Sequence, residues 1–254
     1  MKKSLFHRAL KILQDLCESL GGDGPPLTRL MDREYVAAWH QFKFFHPADV
    51  EVLVDVGAHD GWYAKRAALF FSLKRSILIE PLPANAEGLR KLKLPGLKVI
   101  ESAMSDKKGR ARFTVSSTAQ ASSLLEMGLG MTDAYQLDMS VQKEIEVEVG
   151  TLDDLCLEEG IERIDLLKID VQGAERLMLA GARNALRRTK YLQIEMLFVE
   201  HYRGCALFSE LDSICQASGF ELCHIVGGAN APSGRLLQAD AIYKNKKFFC
   251  GSDV

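Results

Sequence analysis

The sequence predicts an α/β fold, a parallel sheet with helices on both faces. Three observations carry that expectation. From residue 50 onward, short apolar runs alternate with segments of helical periodicity in the order strand, helix, strand, helix, strand. The first run, Val50 to Val56, leads directly into a glycine-bearing turn before the next helical pattern. The chain has 254 residues, 47% apolar and 26% charged, which suffices for one large, well-buried α/β core.

The elements follow in order. Leu5, Phe6, Ala9, Leu10, Leu13, Leu16, Cys17 and Leu20 recur at helical spacing and predict an amphipathic helix that stops at Gly21-Gly22. GGDGPP reads as a linker or sharp turn. A second helical segment spans Leu30 to Phe45 and ends near Pro47. Residues 1–48 are therefore read as a helical N-terminal extension and 49–254 as the main domain. The extension is expected to cover the core or to form a homodimer contact. Its basic amphipathic helix also suits contact with a membrane surface. Strands are expected at Val50–Val56, at SILIE and at LKVIES, with helices running to Ser72 and over Ala84–Leu92. Accessory strands at 110–115 and 145–149 flank a polar-rich insert at 116–143.

That insert is long for a connection within a compact domain, so it is expected to act as a lid, or else to pack as a helix on the sheet edge. Gly128 and Gly130 would be hinges, and Met127, Leu129 and Met131 a cover. Then come a helix at 151–159, a strand at Ile164–Asp170, a helix at 173–187, a strand at Tyr191–Leu197, a helix at 207–218, and strands at 220–226 and 239–244.

The formal net charge of −2 gives no basic excess, so nucleic acid is not an expected partner. Six cysteines contain no C-x-x-C pair, and several sit in apolar surroundings; they read as reduced thiols in a cytoplasmic protein. The basic start is interrupted by His7, Arg8, Lys11 and Asp15, which makes a poor secretory signal. No uncharged run reaches the roughly 18 residues of a membrane span.

The residues suited to chemistry cluster at strand ends. VLVDVGAHDGWYA sets Asp55, Gly57, His59 and Gly61 on a D-x-G-x-x-x-G frame. Glycine there permits a tight turn and close approach of a ligand to backbone. The frame lacks the G-x-G-x-x-G of a dinucleotide site, so it suits a ligand without a pyrophosphate. Glu80 closes the second strand, where a carboxylate can accept hydrogen bonds from the ribose hydroxyls of an adenosine. Ser105 and Asp106 lie beyond the third strand, where Asp106 either meets an adenine amino group or makes a turn with Gly109. LLKIDVQGAE carries Lys168 and Asp170 on one face of a buried strand, and buried charges must be paired or used. Glu195 sits amid apolar residues near the end of the fifth strand. His201 follows as a candidate general base or a surface histidine.

In order, VDVGAHDGWYA, LIEPLP, AMSDKKGRARF, the Ser122-Ser123 pair, VEVGTLDDL, LLKIDVQGAE and QIEM resemble the FkbM-type methyltransferases over roughly residues 50–245. The resemblance implies a Rossmann-like, seven-stranded, mostly parallel sheet whose last two strands form an antiparallel hairpin. It implies S-adenosylmethionine (SAM) as cofactor and O-methylation of a sugar, glycan or natural-product hydroxyl. SAM is assigned to Asp55, Gly57, His59, Gly61, Glu80, Ser105, Asp106, Ser122 and Asp170. Lys168, Asp170, Glu195 and His201 are placed around the acceptor, with the base left open. No metal ligand is assigned. Two residues depart from the family pattern. Gln172 replaces the Glu of KIDVEG, which removes a carboxylate, and His59 stands where a third glycine is common. A divalent-metal-assisted O-methyltransferase, with Asp170 and Glu195 as ligands, and a non-catalytic SAM-binding scaffold are the alternatives.

Overall fold

The computed structural model describes residues 33–117, 121–128 and 141–249. Its elements are α1 (Arg33–Phe42), β1 (Val52–Val56), α2 (Trp62–Phe70), β2 (Arg75–Ile79), α3 (Pro83–Leu89), β3 (Leu97–Ile100), β4 (Ala103–Met104), β5 (Gly109–Ser116) and β6 (Val141–Gly150). They continue with α4 (Leu152–Glu158), β7 (Ile164–Ile169), α5 (Glu175–Ala180), α6 (Arg183–Arg187), β8 (Thr189–Leu197), α7 (Phe208–Ala217), β9 (Phe220–Asn230), β10 (Leu236–Asn245) and α8 (Lys246–Phe249).

The main sheet has seven strands in the order β3-β2-β1-β7-β8-β10-β9. The first five run parallel, and β10 is antiparallel to both β8 and β9. The mostly parallel sheet with an antiparallel C-terminal hairpin is thus present. The chain builds outward from β1 to β3, then returns to the other side of β1 with β7. The gap between β1 and β7 is therefore the topological switch point, where such sheets open a crevice at the carboxyl ends of their strands. A smaller sheet, β4-β6-β5, stands beside that crevice.

Each sheet face is covered because strands buried on both sides must exclude water from both sides. On one face Leu53, Leu78, Leu166, Tyr191 and Ile242 meet Ala64, Ala67 and Phe70 of α2. On the other, Val54, Ile77, Leu167, Ile169, Leu192 and Ile194 meet Leu152, Met178, Leu186 and Leu211. Helix α1 belongs to the first layer. Its Phe42 is fully buried and packs edge-on against Tyr63 at 5.2 Å between ring centroids, and against Phe71 at 5.0 Å.

Three details differ from the sequence expectations. The single helix expected at 173–187 is two short helices. The chain breaks at Gly181, where an added Cβ would lie 2.0 Å from the Ser105 carbonyl oxygen. β6 begins at Val141 and β5 runs to Ser116, so the insert is shorter than expected. Its described portion is tied to the body: Ser123 and Thr114 exchange both backbone hydrogen bonds, and Gly128 donates to the His201 carbonyl at 2.6 Å. The expected N-terminal helix, and the homodimer and membrane-surface contacts resting on it, lie outside the described residues, as do Leu129, Gly130 and Met131 of the expected lid. Among the described residues, no helix is long and apolar enough to cross a membrane.

Truncating Phe42 to Ala tests whether α1 is part of the folding core. The expected loss in urea denaturation is about 3–5 kcal/mol. Leu157→Ala, at a side chain 75% exposed, is expected to change stability by less than about 0.5 kcal/mol. Equal, small effects would mean that α1 is a detachable appendage.

Candidate active site

At the carboxyl ends of β1, β2, β7 and β8 lies a cavity of about 540 Å³, within the roughly 300–1,000 Å³ of small-molecule sites. Its walls come from the β1–α2 turn (Gly57, Ala58, His59, Asp60), from Glu80, from Ser102, Ala103 and Met104, and from Ala121, Ser122 and Leu124 of the insert. Asp170, Gln172, Glu195 and Gln238 close it.

The β1–α2 turn is shaped by crowding. Asp170 donates its N–H to the Val56 carbonyl at 3.0 Å, which pinches β1 against β7. Gly57 has φ +85°, and a Cβ there would stand 1.8 Å from the Asp170 carbonyl oxygen. Only glycine fits both the angle and the space. The amides of Gly57 and Ala58 both donate to Ile79, which carries the loop across to β2. His59 follows with φ +49°, uncommon for a side chain with a Cβ, and its N–H donates to Glu80 Oε2 at 2.9 Å.

Glu80 is buried. Its Oε1 accepts from the Leu82 N–H at 3.0 Å and from the Asn85 amide at 3.3 Å. A carboxylate offers about four acceptor positions. With three filled by the protein, the free position is on Oε2. Burial pushes the Glu80 carboxyl above its usual range, and the surrounding N–H donors oppose that shift.

Behind the cavity, one sheet face carries a row of polar side chains. Register places Asp55 beside Lys168 and Lys168 beside Gln193, and pairs Glu195 with Asp240. The Lys168 ammonium meets Asp240 at 2.8 Å and Asp170 at 3.6 Å. Gln193 donates to the other Asp240 oxygen at 2.7 Å and accepts from the Tyr63 hydroxyl at 2.7 Å. Gln172 donates to Asp170 at 2.7 Å and to Glu195 at 2.9 Å, and Gln238 donates to Glu195 at 3.0 Å. Burial works against the lysine charge, but Asp240, Asp170 and Glu195 outweigh it and hold the ammonium well above its usual range. Burial, then Asp170 and Glu175, push the Glu195 carboxyl well up. Burial raises Asp55 to about 7 against the pull of Lys168.

Of the residues singled out in the sequence, Gly57, His59, Glu80, Ser122, Asp170 and Glu195 face one cavity. Asp55 and Lys168 are buried outside its lining, and Gly61 packs toward Leu89 and Leu92. Ser105 and Asp106 lie outside the lining. β3 ends at Ile100, and the residues of this connection that reach the cavity are Ser102, Ala103 and Met104. His201 is also outside the lining; it is buried, burial lowers its pKa to about 4, and its carbonyl anchors Gly128. Sequence reading missed Tyr63, Gln193, Gln238 and Asp240. The signal was available, because QIE and QAD each put two polar residues at i and i+2 on one face of an apolar strand.

Residues 55–222 match the methyltransferase FkbM domain. The chain belongs to the FkbM methyltransferase family. The 2-O-methyltransferase NoeI of Sinorhizobium fredii (strain NBRC 101917 / NGR234) is 31% identical over 214 residues, covering 77% of this chain and 80% of that protein. The 31-O-demethyl-FK506 methyltransferase FkbM of Streptomyces tacrolimicus is 32% identical over 193 residues, covering 67% of this chain and 72% of that protein. The crystal structure of methyltransferase FkbM from Methylobacillus flagellatus KT superposes with a TM-score of 0.50 at 17% identity. That match covers 82% of this chain and 47% of the other, so the chain spans about half the length of this structural neighbour. The protein is a SAM-dependent methyltransferase with a Rossmann-like fold.

The residues present fit that cofactor. Asp55 Oδ2 is fully buried and has no hydrogen-bond partner among the described residues. The acidic row suits a ligand bearing a sulfonium and an ammonium. Among the described residues, no group of three or more His, Cys, Asp or Glu side chains is placed to hold a metal ion.

The Asp55 shift predicts a pH dependence of the methyltransferase. A carboxyl raised on folding from its ordinary value to about 7 contributes stability that is complete at low pH and is lost as pH rises through the folded value. Free protein is therefore expected to lose stability between about pH 4 and pH 7 through this group, and Asp55→Asn to remove that loss. Calorimetry across this range checks it, with a shift of about 2–4 °C for each kcal/mol. A constant Tm difference between the two proteins at every pH would refute the assignment.

Proposed function

We propose that this methyltransferase moves the SAM methyl group to a hydroxyl oxygen on a sugar, glycan or natural-product acceptor. The observation that carries this reading is the carboxylate pair Asp170 and Glu195. It lines the same cavity as Gly57 and Glu80. The two relatives, named a 2-O-methyltransferase and a 31-O-demethyl-FK506 methyltransferase, support the oxygen acceptor.

SAM supplies, when bound, an electrophilic methyl on a positively charged sulfur. Asp55, Gly57, His59, Glu80 and Ser122 are assigned to its binding. Glu80 Oε2 takes a ribose hydroxyl, Gly57, His59 and Ser122 line the same cavity, and Asp55, buried outside the lining, acts from behind it rather than by contact. Asp170 and Glu195 are assigned to the acceptor. A hydroxyl must lose its proton by the time the new C–O bond forms. Glu195 is the group we assign to accept it, because a carboxyl pushed upward by burial is a stronger base than an exposed one. Lys168 keeps Asp170 and Asp240 in place without entering the cavity. Phe113, Met104, Ala121 and Leu124 provide apolar wall that keeps water from the transfer.

Two substitutions test the two walls separately. Glu80→Ala is expected to weaken SAM binding in calorimetric titration by about 1.5–3 kcal/mol, one charge-assisted hydrogen bond, or roughly ten- to a hundredfold. Unchanged affinity would remove Glu80 from the ribose. Glu195→Gln is expected to lower kcat by about 10²–10⁴ on methyl glycosides or natural-product alcohols while SAM still binds. Full turnover in this variant would exclude Glu195 as the base.

A further inference from the structure

We propose that Gln172 is the positioning residue of the acceptor wall: its amide cross-links Asp170 and Glu195 and fills the place between them where a metal-assisted methyltransferase would need a cation. The proposal rests on the reading of those carboxylates as the acceptor side of the site.

The backbone gives the first reason. Gln172 has φ +55°, and Gly173 follows at φ +93° with the Tyr202 ring 2.6 Å from where its Cβ would be. A residue with a Cβ is disfavoured in the left-handed region by about 1–2 kcal/mol, and glycine is not. Gly173 is forced by the tyrosine, but Gln172 is not forced to carry a side chain by anything in the turn. A long side chain held at a position that favours glycine is there to be used.

The second reason is how firmly the residue is held. The Ser123 hydroxyl donates to the Gln172 carbonyl at 2.6 Å, and the Tyr202 hydroxyl donates to Gln172 Oε1 at 2.7 Å. Glu175 Oε1 accepts from the N–H groups of Val171 and Gly173, one on each side. The amide orientation is fixed by its neighbours. Turned over, it would set an oxygen against two carboxylates.

The third reason is charge. Asp170 Oδ1 and Glu195 Oε2 both accept from the same nitrogen, so the two carboxylates converge on one point. Besides Asp170, the charged groups acting on Glu195 are Lys168 from β7, Glu175 from α5 and Asp240 from β10. Like charges this close repel unless positive charge or N–H groups lie between them. Lys168 is committed first to Asp240, at 2.8 Å against 3.6 Å to Asp170. The gap is filled by the two N–H groups of Gln172. With the glutamate of KIDVEG in this position, a third carboxylate would face the pair and the N–H donors would be gone, so a proton or a cation would be required. Glutamine supplies the cross-link as a permanent, neutral part of the chain.

The test uses full-length protein freed of metal with EDTA and follows Mn²⁺ uptake by the loss of its free paramagnetic resonance signal. The native protein is expected to take up no Mn²⁺ at this site in the millimolar range. Gln172→Glu is expected to bind Mn²⁺ on the order of tenfold or more tighter, and to lose that gain when Glu195→Gln is added. Gln172→Gly relieves the backbone strain, so it is a second, foldable variant in which the opened carboxylate pair also gains Mn²⁺ affinity. Circular dichroism and thermal melting report that each variant keeps its fold. In turnover on methyl glycosides, native activity is expected to be unmoved by EDTA, while Gln172→Glu falls in kcat and recovers in part with Mn²⁺. Failure of both variants to gain Mn²⁺, or tight native binding abolished by Glu195→Gln, overturns the proposal. An absence of native turnover on any hydroxyl acceptor would instead overturn the O-methylation reading, and the Mn²⁺ result would still decide the role of Gln172.

Discussion

The ammonium of Lys168, buried in the middle of the sheet, is the interaction on which the site depends. An isolated charge in that position would be expelled or neutralised. It is kept because Asp240 from β10, Asp170 just past the end of its own strand and Glu195 from β8 act on it, while it pulls in turn on Asp55 of β1. Removing one partner from such a group is costly, because it leaves the rest buried without compensation. The network therefore fixes the relative placement of β1, β7 and the C-terminal hairpin at the end of the sheet where the cavity opens. It is acidic in excess, and that excess is exposed to the cavity through Asp170 and Glu195. A cationic cofactor finds there what the protein alone leaves uncompensated.

Backbone crowding provides the second constraint. The hydrogen bond between Asp170 and Val56 draws two strand ends so close that residue 57 must be glycine. The turns that leave those strands then both enter left-handed conformations, at His59 and at Gln172. Each strained residue faces a carboxylate: the His59 amide donates to Glu80, and the Gln172 side chain donates to Asp170 and Glu195. Strain at these two points is supported by the rigid sheet beneath them, which is where strained residues persist in functional sites.

Much of this was legible from residues alone. Alternating periodicity placed the parallel strands because each strand buried on both faces is a short apolar run. The carboxylates at strand ends, Glu80, Asp170 and Glu195, stood out because charge interrupts those runs. What escaped depends on pairing between distant segments. Asp240 reaches Lys168 only because β10 inserts antiparallel beside β8, a register that no local pattern encodes. The helix break at Gly181 is imposed by the Ser105 carbonyl from a different connection. The same connection led the reading past its target, to Ser105 and Asp106, since turn chemistry marks where a chain bends but not which side chains then point inward. His201 looked like a base beside a strand end. Its burial and its bond to the insert were settled by the path of residues 121–128, far away in sequence.

The charge count also bears on why an amide, rather than another ion, joins the two acceptor-side carboxylates. A divalent cation between Asp170 and Glu195 would neutralise much of the acidic excess of the cavity. It would also stand in the same enclosed space as a sulfonium, where low dielectric strengthens repulsion between like charges. The Gln172 amide aligns both carboxylates through partial charges and leaves their net charge intact. The acidic wall then serves two purposes at once. On the proposed assignment it attracts the cationic cofactor before transfer and offers an ionisable, burial-raised carboxyl to the acceptor hydroxyl during it. On this argument, the single exchange of a carboxylate for an amide in KIDVQG reorganises how the whole cavity balances its charge, with Lys168 as the fixed counter-ion and the cofactor as the exchangeable one.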